Sequence, residues 1–204
     1  MKKFIVACVA LLMAIGVKAQ IPEGLQVVSL RIGDTMSLGA YTEASVPTSL
    51  TYEYCLEEDA FEVPSLCLGI GAIFGHAYSY TTTTITNVGS NQVDTRATTN
   101  RWFFGGLRGY VHYDVLSLIG VDAPHFDTYA ALTLGARVKK RTWEGENASS
   151  TSGGVSSKST TREKSPMFGL QFGARYFIIP NVGLSLEAGY DGMSVLNFGI
   201  VGCF

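Results

Sequence analysis

Six charged side chains each lie alone among small or apolar neighbours, and they are the residues best placed for chemistry. They are Arg31, Glu53, Arg108, Arg137, Arg175 and Glu187. Taking a charge out of water costs several kcal/mol unless an opposite charge lies beside it. Four arginines and two glutamates therefore favour a paired network that fills an interior. The alternative is a narrow pore in which two excess positive charges prefer anions.

The position of one turn predicts a particular ion pair within this set. We expect the chain to reverse at residues 180–181 and residues whose numbers add to 362 to face each other, as those of Arg175 and Glu187 do. Glu53 would reach Arg31 or a deeper arginine. The polar residues expected to complete the network are Tyr129, Gln171 and Asn197.

The three histidines lack the pattern of a catalytic or metal site. His76, His112 and His125 have no serine and carboxylate at the spacing of a triad, and His76 fits an outer girdle of aromatic residues. The sequence contains no C-x-x-C or H-x-x-x-H cluster for a metal. It therefore predicts no enzyme activity, no metal and no cofactor.

Apolar residues alternate with small or polar ones over eight segments, which is the pattern of β-strands with one apolar face. Strands of about 9 to 11 residues can cross a membrane at a tilt, and eight of them close a barrel. The sequence predicts an all-β, eight-stranded antiparallel transmembrane β-barrel of up-and-down topology. The segments are 26–33, 49–57, 65–80, 101–114, 127–138, 167–177, 182–190 and 195–204.

The second face of these strands carries glycine, serine and threonine, whereas a soluble sandwich would present lysines and carboxylates there. The chain has 23 glycines and only 16% charged residues, against about a quarter in an average soluble domain. We expect the apolar face to contact lipid, and small residues to fill a lumen too narrow for bulky side chains.

Long and short connections alternate along the chain. The long ones are 34–48, 82–99 and 141–165, and the short ones are 58–64, 115–125 and 180–181. Outer-membrane barrels have short periplasmic turns and long extracellular loops. We therefore expect three long loops outside, available to an extracellular ligand that the sequence does not identify. Residues 191–192 must lie in an odd-length loop or a bulge if Phe198 and Phe204 are to point outward.

The first 19 residues have the pattern of a signal peptide. Lys2 and Lys3 precede an apolar run at 4–16, and a small-residue cleavage site follows at 17–19. The barrel domain is then 20–204. Loss of the leader removes three lysines and leaves 12 basic against 17 acidic residues, a net charge of −5. This charge argues against a nucleic-acid partner.

Export would bring the cysteines into an oxidising compartment. Cys55 and Cys67 face each other across a turn centred near Phe61, and both point inward by the alternation, so they are the predicted disulfide pair. Two alternatives stay open. Cys203, at the same end of the barrel, could take one of them as its partner, or all three could fill the lumen as free thiols.

Several segments carry a resemblance to known proteins. The run FGLQFGARYFIIPNVGLSLEAGY at 168–190, followed by a last strand ending in Phe204, and the segments 106–112 and 52–54 resemble strands of the small outer-membrane β-barrel domain family, the OmpA-like, OmpX-like and opacity-type porin-like proteins. The resemblance implies a place in the cell outer membrane, surrounded by its lipid. It also implies that the barrel-assembly machinery reads Phe204 as an assembly signal.

These inferences combine into an expected function. We expect a non-enzymatic barrel with a plugged polar lumen, whose three long loops have a structural or surface-interaction role. A narrow, weakly anion-preferring pore is the alternative, and a lipid A-modifying barrel enzyme is a further one.

Overall fold

The computed structural model describes residues 23–35, 43–87, 92–116, 121, 123–148 and 155–204. The predicted signal peptide, 1–19, lies outside these residues. No helix within them is long and apolar enough to cross a membrane. The strands are β1 (Gln26–Gly33), β2 (Glu43–Ala44), β3 (Thr48–Glu57), β4 (Leu66–Asn87), β5 (Gln92–Tyr113), β6 (Phe126–Ala148), β7 (Val155–Ile179), β8 (Val182–Tyr190) and β9 (Leu196–Cys203), and a 3₁₀ helix spans Ala60–Glu62.

Eight of the strands form a closed antiparallel ring. Their order around the ring is β1, β3, β4, β5, β6, β7, β8 and β9, and β1 pairs with both β3 and β9, which closes it. The two-residue β2 only pairs with β4. A closed ring leaves no unpaired edge where lipid would surround the backbone. The predicted fold, an eight-stranded up-and-down barrel, is confirmed.

Four neighbouring strands are more than twice as long as the others. β4 to β7 have 22 to 25 residues, whereas β1, β3, β8 and β9 have 8 to 10. The connections expected at 82–99 and 141–165 are therefore mostly strand, and the expectation of two long loops there is wrong. Residues 88–91 and 149–154 lie outside the described residues.

Composition explains why these strands continue without an apolar face. β4 runs through four consecutive threonines, Thr81 to Thr84, which pair with residues 95–98 of β5. Threonine is β-branched and favours strands, but it gives no alternation of apolar and polar residues. We call residues 80–87, 92–101, 140–148 and 155–166 the extended sheet.

The outward side chains of the ring form a continuous apolar wall. Leu107 is 67% exposed and Phe74 is 63% exposed. The outward positions of 66–80, 103–113 and 168–178 carry no Asp, Glu, Lys or Arg. Soluble monomers expose contiguous apolar patches of only a few hundred Å². A wall of this kind is the surface of a barrel that lies in lipid.

Three layers of side chains fill the interior. A lower apolar layer lies at the end with the short turns, a charged layer lies in the middle, and an upper apolar layer lies below the extended sheet. The expectation that the lumen is too narrow for bulky side chains is wrong, because aromatic rings occupy both ends. The lower layer comprises Val27, Cys55, Cys67, Phe177, Val201 and Cys203, and the upper layer comprises Ile73, Ala77, Trp102, Phe104, Met167 and Met193.

Glycines on neighbouring strands make room for some of these rings. Phe104 lies over Gly75, where an added Cβ atom would come within 2.1 Å of the ring, and Tyr129 lies over Gly173, where it would come within 2.3 Å. In both cases the glycine and the aromatic residue face each other in the register. A position without a side chain on one strand thus admits a bulky ring from the next.

The connection between β8 and β9 settles the orientation of the last strand. β8 ends at Tyr190 and β9 begins at Leu196, which leaves an odd number of loop residues, 191–195. Phe198 and Phe204 point outward and are 49% and 64% exposed. The expectation of an odd-length loop is confirmed.

Candidate functional site

The charged layer contains a closed cluster of four ionisable side chains. His112 lies between two carboxylates, with Nε2 2.5 Å from Glu53 Oε1 and Nδ1 2.9 Å from Asp127 Oδ1. Arg175 donates to the other oxygen of each carboxylate, at 2.6 Å to Glu53 Oε2 and 3.4 Å to Asp127 Oδ2. Both ring nitrogens of His112 can donate only in the imidazolium form. In that form two cations balance two carboxylates.

A second cluster surrounds Glu187. Its Oε2 atom accepts hydrogen bonds from Arg31 and from Arg108 Nη2, the latter at 3.0 Å. Its Oε1 atom accepts the Tyr129 hydroxyl at 2.5 Å. Arg108 also donates to Gln171 Oε1 at 2.6 Å. Both carboxylate oxygens of Glu187 are therefore occupied.

Strand alternation places all of these side chains inside the ring, and the three arginines of the two clusters are each 1% exposed. Aromatic rings lie between the clusters. The Arg175 guanidinium is 4.2 Å from the Tyr129 ring centroid, and that of Arg108 is 5.1 Å from the Tyr110 centroid. Aromatic faces attract cations. The two rings therefore stabilise the guanidinium groups within a low-dielectric interior that both clusters share.

The predicted ion pair between Arg175 and Glu187 is wrong. Arg175 faces Ser185 and Glu187 faces Gly173, so the numbers of opposed residues add to 360. The register shifts within 177–179, because a bulge there gives one strand an extra residue. Arg175 instead binds the two carboxylates of the first cluster.

Arg137 lies apart from both clusters. Its Nη1 atom donates to the Gly192 carbonyl at 3.0 Å and lies 4.0 Å from Met193 Sδ.

The network predicted from the sequence did not include His112 and Asp127. When these two residues are included, three arginines and one imidazolium face three carboxylates. The excess of positive charge within the two clusters is therefore one, whereas the sequence predicted two.

The contacts within the charged layer are suited to holding the strands of the barrel together. Each of its three carboxylates is bound through both oxygens, and the apolar layers cover it above and below. A reactive site would place a nucleophile beside a base, with room for a substrate. Within the described part of the chain, no group of three His, Cys, Asp or Glu side chains could hold a metal ion.

No known sequence family matches the chain, and no curated protein is similar to it in sequence. Several solved structures are similar at low identity, among them the following three. A barrel from a study on de novo design of transmembrane β-barrels is 15% identical over 91% of this chain and 99% of its own, with a TM-score of 0.47. The attachment invasion locus protein Ail of Yersinia pestis, solved with the heparin analogue sucrose octasulfate, is 14% identical over 89% of this chain and 97% of its own (TM-score 0.39). The N-terminal β-barrel domain of Pseudomonas aeruginosa OprF is 10% identical over 89% and 98% (TM-score 0.38).

The closed ring, its apolar wall and its charged lumen together decide the class of protein. The chain is an outer-membrane β-barrel. Proteins cross the outer membrane as closed antiparallel barrels with an even number of strands, an apolar outer band and a polar interior. The protein is therefore located in that membrane.

The lower layer of the barrel contains a disulfide between Cys55 and Cys67. The two residues are not directly opposed, because Cys55 faces Gly69 in the register. The bridge runs diagonally between β3 and β4, with the Cα atoms 6.9 Å apart. Cys203 is a buried free thiol whose Sγ donates to the Pro180 carbonyl at 3.3 Å.

The remaining singled-out residues lie outside the charged layer. Phe204 points into the surroundings, and its backbone N–H and carbonyl pair with Gln26. Its role as an assembly signal stays a prediction. His76 lies on the outer wall of the barrel with its ring centroid 4.8 Å from that of Phe103, which fits the aromatic girdle. His125 lies in a lower turn.

Proposed function

We propose that the protein is a closed, non-enzymatic outer-membrane barrel whose extended sheet projects from the cell and contacts molecules outside. The strand lengths carry this proposal. A strand of about 9 to 11 residues suffices to cross the membrane, and β4 to β7 have 22 to 25. The surplus lies at the end opposite the short turns, and in outer-membrane barrels that end is extracellular.

The composition of the extended sheet supports an interaction role. Its threonines, serines and charged residues form two polar faces of an antiparallel sheet held by backbone pairing from β4 to β7. Among the residues that the structure describes, β7 has no partner beyond Leu170 on its side toward β8, because β8 ends at Tyr190. An unpaired strand edge and two polar faces are surfaces on which another protein or a glycan can dock.

The three interior layers support closure against ions. The cations of the two clusters are engaged by carboxylates, and an ion entering from above would have to pass Trp102 and Phe104, which are 4% and 5% exposed. The alternative of an anion-preferring pore would need a continuous wet path past this layer. The outer wall offers no support for a lipid A-modifying enzyme, because His76 contacts Phe103 and Tyr78 takes the next outward position.

Single-channel recording on refolded protein tests closure. We expect no current steps above those of the bare bilayer at either polarity. Stepwise currents with a preference for anions would refute closure and favour the pore. Liposome swelling with small neutral sugars provides a second measurement that does not depend on charge.

Cysteine labelling of intact cells tests the projection of the extended sheet. Ser159→Cys lies on the exposed part of β7, and Pro124→Cys lies in an exposed turn at the opposite end. A membrane-impermeant maleimide is expected to label the first variant on intact cells and the second only after lysis. The wild type controls for the buried Cys203 thiol. Labelling of Pro124→Cys on intact cells would refute the orientation.

A further inference from the structure

Three cations lie side by side on the outer face of the extended sheet. Arg101 of β5 faces Lys140 of β6, and Lys140 faces Arg162 of β7. Opposed side chains on neighbouring antiparallel strands have Cβ atoms about 4.5 to 5.5 Å apart. Arg101 and Arg162 are exposed and Lys140 is half-buried. We call these three residues the cation row.

No carboxylate within the described residues neutralises the cation row. Two acidic side chains are described on this face of the sheet. Glu144 binds Lys158 at 2.6 Å, and Glu43 lies on β2, where it faces Tyr80. None of the ion pairs within the described ranges includes a member of the row. Like charges directly opposite each other destabilise a sheet. An anion bound across the row would remove that repulsion.

The cation row lies where the apolar wall ends. The next outward positions below it are Phe103 on β5 and Val138 on β6, which face each other, and the exposed Lys164 on β7, which faces Val138. Tyr78 lies beside the row, opposite Arg101, with its ring centroid 5.9 Å from the Arg101 guanidinium carbon. Tyrosine is typical of the level at which membrane lipid meets water. The next outward positions above the row are hydroxyl-bearing: Thr99, Thr142 and Thr160.

We infer that the cation row binds the phosphate group of a phosphorylated glycolipid of the outer leaflet. Arginine matches phosphate oxygens with two parallel hydrogen bonds, and lysine contributes a point charge. The threonine hydroxyls above can donate to sugar oxygens, and acyl chains can lie against the wall formed by Phe103 and Val138. The choice of leaflet rests on the proposed orientation of the extended sheet.

A lipid fits this surface better than a free anion does. The members of the row are exposed or half-buried, so a small ion bound to them would stay in contact with water. A soluble phosphate would gain only the contacts with cations, which salt screens at an exposed site. A lipid gains the same contacts and keeps its chains on the adjoining apolar surface.

The chain offers a matched pair of variants for the test. Lys140→Gln with Arg162→Gln removes two charges of the row. Lys139→Gln with Arg141→Gln removes two charges from the opposite face of the sheet. Both side chains lie on the face of the buried residues Trp102 and Asn100, because Lys139 faces Trp102 and Arg141 Nε donates to Asn100. Each protein is folded into phosphatidylcholine vesicles containing increasing amounts of diphosphoryl lipid A. The urea midpoint is read from the mobility difference between folded and unfolded protein on gels.

Lipid A is expected to raise the midpoint of the wild type and of the opposite-face variant. The row variant should need about thirtyfold more lipid A for the same shift, because each cation near an anionic membrane surface contributes roughly a factor of five. In pure phosphatidylcholine the row variant should unfold at an equal or higher urea concentration than the wild type, since its repulsion is relieved.

Four results would overturn the inference: an equal loss of the lipid A effect in both variants, protection by inorganic phosphate equal to that by lipid A, equal protection by phosphatidylglycerol, or no effect of lipid A on the wild type. The vesicle measurement does not depend on which way the barrel faces in the cell. Failure of the labelling test would refute the orientation but not the binding of lipid A measured in vesicles. Failure of the vesicle measurement would refute the binding of lipid A but not the orientation.

Discussion

Arg175 depends on Glu53 rather than on its hairpin neighbour Glu187, and this difference is measurable. Glu53→Gln preserves the shape of the side chain and removes one of the two carboxylates that hold Arg175 and His112. Removing one member of a buried ion pair costs about 3–5 kcal/mol. Asp127 still contacts both cations, at 2.9 and 3.4 Å, so we expect a loss near the lower limit, about 3 kcal/mol.

A double-mutant cycle separates the partners of Arg175. Arg175→Met with Glu53→Gln should show a coupling of about 2–3 kcal/mol, which is the upper range for residues in one ion-pair network. Arg175→Met with Glu187→Gln should couple by less than about 1 kcal/mol, because the two side chains meet only through the Tyr129 ring. Glu187→Gln with Arg108→Met is the positive control, since these residues lie 3.0 Å apart.

The free energy of unfolding is measured by urea titration of protein refolded in detergent micelles, with the folded fraction read from gel mobility before boiling. Equal slopes of the titrations would show that all variants unfold from the same kind of state. A coupling between Arg175 and Glu187 that equals or exceeds that between Arg175 and Glu53 would refute the register and both clusters. A cost below about 1 kcal/mol for Glu53→Gln alone, against the several kcal/mol expected of a buried pair, would refute the stabilising role of the layer.

Three further predictions concern other parts of the barrel. A thiol count on unfolded, unreduced protein should find one free thiol, which maps to Cys203; three free thiols would contradict the disulfide. Gly75→Ala should lower the free energy of unfolding by about 1–3 kcal/mol, because the new methyl group overlaps the buried Phe104 ring, whereas Gly109→Ala, with no atom within 4 Å of its Cβ, should change it by less than about 0.5 kcal/mol. Both variants are measured by the same urea titration, and equal effects would contradict the ring packing. Deletion of Phe204 should reduce the amount of folded barrel recovered from outer membranes without preventing refolding of purified protein; unchanged recovery would contradict its role as an assembly signal.

Alternation predicted the ring correctly because burial in lipid imposes a strict apolar face on each crossing strand. The predicted and observed bounds agree at 26–33 and 182–190, where one face is apolar to the last residue. They differ in β4 to β7 because the extended sheet has water on both faces. Backbone pairing with the neighbouring strand maintains these segments as strands, and pairing partners cannot be read from one segment alone.

The composition of the charged layer could be predicted only in part. His112 lies on the inward parity of β5, but its partners cannot be read from that strand, because they come from β3 and β6. Asp127 is the first residue of the predicted segment 127–138, where the alternation of β6 begins. Both residues lie on the same inward parity as the six predicted ions. Treating every inward polar residue as a member of the network, including those at strand ends, would have found them.

The two errors of pairing have one physical cause. The numbers of opposed residues were expected to add to 362 between β7 and β8, but they add to 360. Between β3 and β4 a sum of 122 was expected, and the sum along the strands is 124. Both pairs of strands contain a register shift of one residue next to the turn: the sum falls from 361 to 360 between β7 and β8, and from 125 to 124 between β3 and β4. A count made across the turn therefore does not give the pairing along the strands. The observed sums differ from the expected ones by two, and a difference of two leaves each side chain on its face, because strand alternation has a period of two. The inward set was therefore predictable from the sequence, whereas the identity of each partner depended on irregularities at the turns, where alternation carries no information.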